Sequence, residues 1–140
     1  MQITFNLPHV FHPSSSKDDN AYALRALLEG LITINRAFLR THSVPSLYRS
    51  GVVYGRTKIW DSIPALYQRK YGDCKSLTAA RIAELREEGY TNVEPVFRWI
   101  ERPNGVKDFH ILIRIGNVWE DPSRKLGMGK DENAYFNPQR

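Results

Sequence analysis

Tyr71-Gly72-Asp73-Cys74-Lys75-Ser76-Leu77 carries the only cysteine of the chain into what reads as the start of a helix. Gly72 and Asp73 interrupt the preceding segment, and an aspartate placed there can accept a backbone N–H of the first turn. From Lys75 onward Leu77, Ala79, Ala80, Ile82, Ala83 and Leu85 are apolar or strong helix formers, and Gly89 supplies the stop. The pattern predicts a helix from about Cys74 to Glu88. Its alanines let another element approach closely, while Arg81, Glu84 and Glu88 share a polar side. Cys74 is thus expected at the exposed tip of a mostly buried helix. Unpaired N–H groups and the positive end of the dipole favour thiolate over thiol there, and the thiolate is the nucleophile. The competing reading is a small buried hydrophobe, the usual fate of a single cysteine.

Downstream, residues 93–100 read as a strand, with Val96, Arg98 and Ile100 on one face and Phe97 and Trp99 on the other. Residues 101–107 read as a turn. Residues 108–115 then alternate, with Phe109, Ile111, Ile113 and Ile115 toward a core and Asp108, His110, Leu112 and Arg114 away from it. Gly116-Asn117 is a two-residue hairpin signal, and Val118 to Asp121 is the returning strand, ended by Pro122. Such a turn pairs Ile115 with Val118, Arg114 with Trp119, Ile113 with Glu120 and Leu112 with Asp121. Directly paired residues share a face, so Asp121 becomes the diagonal neighbour of His110. A turn one residue longer would put them on opposite faces. If the tip of the Cys74 helix packs on the His110 face, sulfur, imidazole and carboxylate form nucleophile, base and orienter. The other reading is a surface His–Asp pair and an unrelated buried cysteine. Spacing alone leaves both open, with Asp108 a rival orienter two residues from His110. A zinc ion held by the three residues lacks any recognisable ligand spacing.

Upstream, residues 1–16 read as an edge strand or arm interrupted by Pro8 and Pro13, and its His9 and His12 lack further metal ligands. Residues 18–42 read as the first long helix, with Asp18, Asp19 and Asn20 as caps. Tyr22, Leu24, Leu27, Leu28, Leu31, Ile32, Ile34, Phe38 and Leu39 give it a broad apolar surface. Residues 43–70 look irregular, apart from a helical turn around Pro64 to Tyr71 with Pro64 near its first position. Aromatic residues are dense there, and a loop entering the cysteine helix must pass close to it. The tail, residues 124–140, is expected to be loosely held; its Gly-Met-Gly-Lys lacks phosphate-loop spacing.

A chain of 140 residues, 41% hydrophobic and 25% charged, has the length and composition of one folded domain with a real core. A single cysteine excludes an internal disulfide framework and a multi-cysteine zinc site, and fits a reducing compartment. No signal peptide is visible and no apolar run approaches the ~20 residues that span a bilayer, so a cytoplasmic protein without a membrane partner is expected. The formal charge is +5, yet the basic residues are spread along the chain. That pattern reads as solvated surface rather than a nucleic-acid groove.

Gly72-Asp73-Cys74 opening a helix, a strand bearing Phe109-His110, and Trp119-Glu120-Asp121-Pro122 follow one another at separations of 36 and 11 residues between Cys74, His110 and Asp121. This order resembles the transglutaminase-like cysteine protease superfamily, whose members show a G-[DN]-C helix start, a strand histidine and a strand-end aspartate commonly followed by proline. The resemblance covers roughly residues 70–123. It implies an α+β, papain-like or transglutaminase-core fold: an N-terminal helix and a central nucleophile helix packed on a small antiparallel sheet. It implies Cys74 as nucleophile, His110 as general base and acid, and Asp121 as orienter. The reaction implied is attack on a peptide or protein amide through a thioester acyl-enzyme, without cofactor, followed by transfer to water or an amine. The oxyanion would be held by the Cys74 N–H and one upstream side chain, Trp60 first, with Tyr54 and Tyr71 behind it; packing explains each of these aromatics as well. An idle binding or structural module of the same fold is the alternative.

Overall fold

The structure, a computed structural model, describes residues 2–4, 6, 16–101, 103 and 107–129, with the side chains at 17, 100, 101, 107 and 108 left aside. Most of the expected arm, His9 and His12 included, most of the turn after Glu101, the Asp108 side chain and the tail from 130 lie outside them. The described chain is an α+β arrangement of helices and two small sheets.

Helix α1 (Lys17–Thr41) begins one residue earlier than its apolar pattern predicts. Its cap is Ser16, whose hydroxyl accepts the Asp19 N–H at 3.1 Å, and not the acidic residues. Asp18 and Asp19 occupy the first turn instead, where their charge complements the dipole. Leu24, Leu28, Ile32 and Asn35 form the buried stripe at helical spacing. Tyr22 and Ile34, expected in the apolar surface, point to solvent.

The stretch 43–70 is less irregular than expected. A short 3₁₀ turn (Leu47–Arg49) leads to β1 (Val53–Tyr54), and α2 (Ile63–Arg69) takes its proline in the first turn as predicted. β2 (Tyr71–Gly72) runs parallel to β1, a two-residue pairing too short to leave a periodic signature. A Cβ at Gly72 would come 2.7 Å from Leu66 Cδ1, so any larger residue there would require that buried leucine to shift.

Helix α3 (Cys74–Glu87) is the centre of the molecule. It is buried from Cys74 through Ala80 and again from Ile82 to Leu85, and a helix covered all round needs no single apolar stripe. One side of it joins Leu28 and Ile32 of α1 with Val93, Ile111 and Ile113 of the large sheet. The other joins Leu47, Val52, Ile63 and Leu66.

The large sheet is antiparallel, in the order β3 (Val93–Glu101), β4 (Lys107–Ile115), β5 (Val118–Glu120). The hairpin register is the one the two-residue turn predicts for three of its four pairs, Ile115 opposite Val118, Arg114 opposite Trp119 and Ile113 opposite Glu120; the fourth, Leu112 with Asp121, does not form, because the strand ends at Glu120 and Asp121 caps the next helix. A hairpin of this kind closes on a hydrogen-bonded pair, so the N–H and C=O of Ile115, Ile113 and Ile111 all point to the β5 side. β5 ends at Glu120, so Ile111, opposite Phe97 of β3 on one side, has no strand partner on the other. Helix α3 fills that place: Thr78 Oγ1 donates to Ile111 O at 3.2 Å, and the Ile111 N–H donates to Cys74 Sγ. The same alternation turns the backbone nitrogen of Pro95, opposite Ile113, to the outer edge of β3, where a missing N–H breaks no ladder bond.

Past Glu120 the chain does not loosen. Asp121 caps a short helix, α4 (Pro122–Lys125), with Pro122 in its first turn. Ser123 and Met128 are buried, and Leu126 accepts the Tyr54 N–H through its carbonyl at 2.9 Å. The expected loosely held tail is therefore corrected for residues 124–129: aspartate followed by proline is a helix start here as well as a strand end. Among the described residues no helix is long and apolar enough to cross a membrane.

Candidate active site

Cys74 is the first residue of α3 and His110 lies in the middle of β4. Both line one cleft of about 770 Å³, together with Leu24, Tyr54, Arg56, Thr57, Lys58, Trp60, Asp73, Lys75 and Phe109. The body of α3 packs on the Ile111 and Ile113 face of the sheet, which corrects the expectation that its tip lies on the His110 face. Cys74 and His110 share a cleft for another reason. β5 is short, and the edge of β4 beside His110 is left to the N-terminal end of α3.

Asp121 reaches His110 as the hairpin register predicts, with Oδ2 2.8 Å from Nε2. Its Oδ1 accepts the Arg124 N–H at 3.3 Å. One carboxylate thus orients the imidazole and starts α4. His110 is only 3% exposed. An imidazole bonded to a carboxylate through Nε2 carries its proton there when neutral, which makes Nδ1 the basic nitrogen.

The electrostatics at Cys74 differ from the expectation. Its side chain is 9% exposed rather than presented at an open tip. Burial pushes the thiol up to about 12, and the adjacent Asp73 carboxylate adds to this; the Ile111 N–H and Lys75 oppose it without prevailing. The helix terminus favours the thiolate, but desolvation outweighs it. Asp73 is itself raised, by burial first, against the pull of Lys75. Its carboxylate accepts the Lys75 N–H at 3.3 Å, so the cap engages that donor and not the Cys74 N–H.

Sequence reasoning missed the clamp beside the cysteine. Lys75 is buried, ion-paired to Asp73, and its Nζ donates to Thr57 O at 2.7 Å. It ties loop 55–61 to the start of α3 and so sets the wall carrying Arg56, Lys58 and Trp60. Lysine in the first turn of a helix expected to be mostly buried was the available signal, since a buried ammonium needs partners. Trp60 lines the cleft with the Lys75 ammonium 6.0 Å from its ring centre. Tyr54 lines it too, whereas Tyr71 is not among its lining residues.

A second group sequence reasoning missed fixes the turn bearing Asp121. Glu120 accepts from Tyr48 Oη at 2.6 Å and Arg81 Nε at 2.7 Å, with Lys125 Nζ at 3.8 Å. Burial would raise this carboxyl, but the bonds from Arg81 and Tyr48 hold it below the usual range. Its signal was the predicted pairing with Ile113, which places a charge on a core face where it must be paired. Among the described residues no group of three or more histidine, cysteine, aspartate or glutamate side chains is arranged to hold a metal ion. Comparison of the chain with protein-family models, with curated proteins and with solved structures returns no match.

Proposed function

We propose that the protein is a thiol-dependent hydrolase or acyltransferase acting on peptide or protein amides, built on a papain-like, transglutaminase-type core. The observation that carries this reading is the shared cleft: Cys74 and His110 line it, and His110 is held through Nε2 by Asp121. Two unrelated residues would have no reason to open onto the same space in the chain order of the superfamily they resemble.

In this reading the buried thiol gives its proton to His110 Nδ1 as Sγ attacks the carbonyl carbon. The S–C bond forms, and the oxyanion is met by the Cys74 N–H and the Trp60 indole N–H. Collapse breaks the C–N bond, and the imidazolium proton leaves on the amine. Water or a second amine then attacks the thioester, gives a proton to the imidazole, and the sulfur departs to be reprotonated. Asp121 stabilises the imidazolium in both halves. A thiol pushed up to about 12 makes the histidine indispensable, because little thiolate forms without it.

That same raised thiol favours a second reading, an idle module in which Cys74 serves to accept the Ile111 N–H. Trapping with an electrophilic peptide-amide probe followed by mass spectrometry separates the two. The enzyme gives an adduct on Cys74 that is lost in Cys74→Ala and strongly slowed in His110→Ala. An adduct that forms equally in His110→Ala, or not at all, leaves the module.

A further inference from the structure

Residues 55–62, the loop between β1 and α2, carry Trp60 into the wall of the cleft. The loop is held on either side of Trp60 by two consecutive residues of α3. Before it, the Thr57 carbonyl accepts from Lys75 Nζ at 2.7 Å; after it, the Asp61 N–H donates to Ser76 Oγ at 2.9 Å. Within this span the Ile59 N–H closes back on Thr57 Oγ1 at 3.1 Å. A further tie, Gly55 N–H to Gly72 O at 2.9 Å, leads to the same stretch, 72–76, that bears Cys74. Lys75, Ser76 and Asp61 are all buried. A buried ammonium and a buried hydroxyl are costly unless satisfied, and the partners here are Asp73 and the backbone of this one loop. The Lys75 ammonium also stands 6.0 Å from the centre of the Trp60 ring, the outer reach of a cation–π contact. The indole itself packs on the core cluster to which Cys74 belongs.

We propose that Lys75 and Ser76 are positioning residues, which act through Thr57 and Asp61 to hold the Trp60 indole beside Cys74. One turn of helix then sets both the sulfur and the side-chain donor to the oxyanion. The oxyanion role rests on the thiol-enzyme reading; the holding of Trp60 does not. A donor aimed at developing charge has to be in place before that charge appears. Misplacement by about 1 Å can cost ~10²-fold in rate, and connecting loops are the mobile parts of a fold unless they are tied.

Fluorotryptophan labelling and fluorine NMR read the surroundings of Trp60 without any turnover, its signal being identified by its loss in Trp60→Phe. Two variants release the loop. Ser76→Ala removes one anchor; Lys75→Met/Asp73→Asn removes the other, leaves no orphaned carboxylate, and keeps a helix cap in asparagine. In each the Trp60 signal should move toward that of the free amino acid, while the Trp99 and Trp119 signals stay and report an intact fold. In Ser76→Ala, which changes no charge, hydrolysis of an activated peptide ester should show kcat lowered by roughly 10–10²-fold with KM little changed. In a Trp60→Phe background, which keeps a ring and lacks the N–H, Ser76→Ala should lower kcat little further. A Trp60 signal that either variant leaves in place overturns the proposal. So does a Ser76→Ala loss undiminished in the Trp60→Phe background, which would mean that the anchor acts on Cys74 directly. If the amide probe traps no acyl adduct in the natural chain and the Trp60 signal still moves in both variants, the enzyme reading falls and the anchored loop stands.

Discussion

Asp121 bonds His110 Nε2 with one carboxylate oxygen, at 2.8 Å, and the N–H of Arg124 with the other, at 3.3 Å. Orientation of the imidazole and initiation of α4 are thus coupled through a single side chain. Two substitutions separate these roles. Asparagine caps a helix about as well as aspartate, whereas alanine forfeits about 1 kcal/mol. Asp121→Asn should therefore keep nearly all the stability while losing the charge that steadies an imidazolium, lowering turnover by roughly 10²–10⁴-fold if the site is catalytic. Asp121→Ala should lose both. Chemical denaturation alongside hydrolysis of an activated peptide ester reads the two effects, and an Asp121→Asn variant with full turnover would sink the orienter role.

The second prediction concerns proton transfer. With burial and Asp73 pushing the thiol up to about 12, Cys74 alone should react with iodoacetamide only as pH climbs well past the ~8.5 of a free thiol. His110 changes this by accepting the proton. In the natural chain the alkylation rate should already be appreciable near neutral pH. In His110→Ala the rise should move to the alkaline side and track the thiol itself. Identical pH profiles for the two proteins would show that the imidazole takes no part.

The site was legible in the sequence wherever local pattern dictated it. The alternation of residues 108–115 and the Gly116-Asn117 turn set a register, and that register brings Asp121 to His110 without tertiary information. The helix at Cys74 was legible from its cap and its stop. The docking of that helix was not. A two-strand face looks the same from sequence whichever side a helix covers, and the deciding fact is that β5 stops early and leaves Ile111 to α3. The ionisation of Cys74 was misread for a related reason. A helix terminus is a local feature, while desolvation depends on every element around it. α4 hid behind a proline that both ends a strand and starts a helix.

Third, the contact replacing the missing strand should show in stability. Thr78 is fully buried, and its hydroxyl is the donor to Ile111 O. Thr78→Val keeps the shape and strands a buried carbonyl, which costs about 1–3 kcal/mol. Thr78→Ser keeps the donor and should fall short of that loss. By comparison Ile32→Ala, which empties the α1–α3 core, should cost about 2–5 kcal/mol. Urea denaturation of the three variants gives the order, and a Thr78→Val protein as stable as the natural one would mean that the carbonyl finds another donor.

The last prediction sets two carboxyls of opposite tendency against each other. Glu120 is held low because the bonds from Arg81 and Tyr48 outweigh its burial. Its charge therefore stabilises the fold above the unfolded-state value of about 4.3, and this is lost as pH falls through the depressed folded value. Glu84 is raised, chiefly by burial, against the Leu47 N–H at 2.9 Å and Arg81. Its contribution has the other sign: present below the unfolded value and lost as pH rises through the raised folded one. Glu120→Gln should thus be clearly less stable than the natural chain at pH 7, with the deficit shrinking on acidification toward pH 3. Glu84→Gln should cost less at pH 7, since the amide oxygen can still accept from Leu47 and no buried charge remains. Unfolding free energies across this range for both variants test the pair. If Glu84→Gln proves the more damaging at pH 7, then Arg81 gives its stronger partnership to Glu84, and the turn that carries Asp121 is secured by Tyr48 instead.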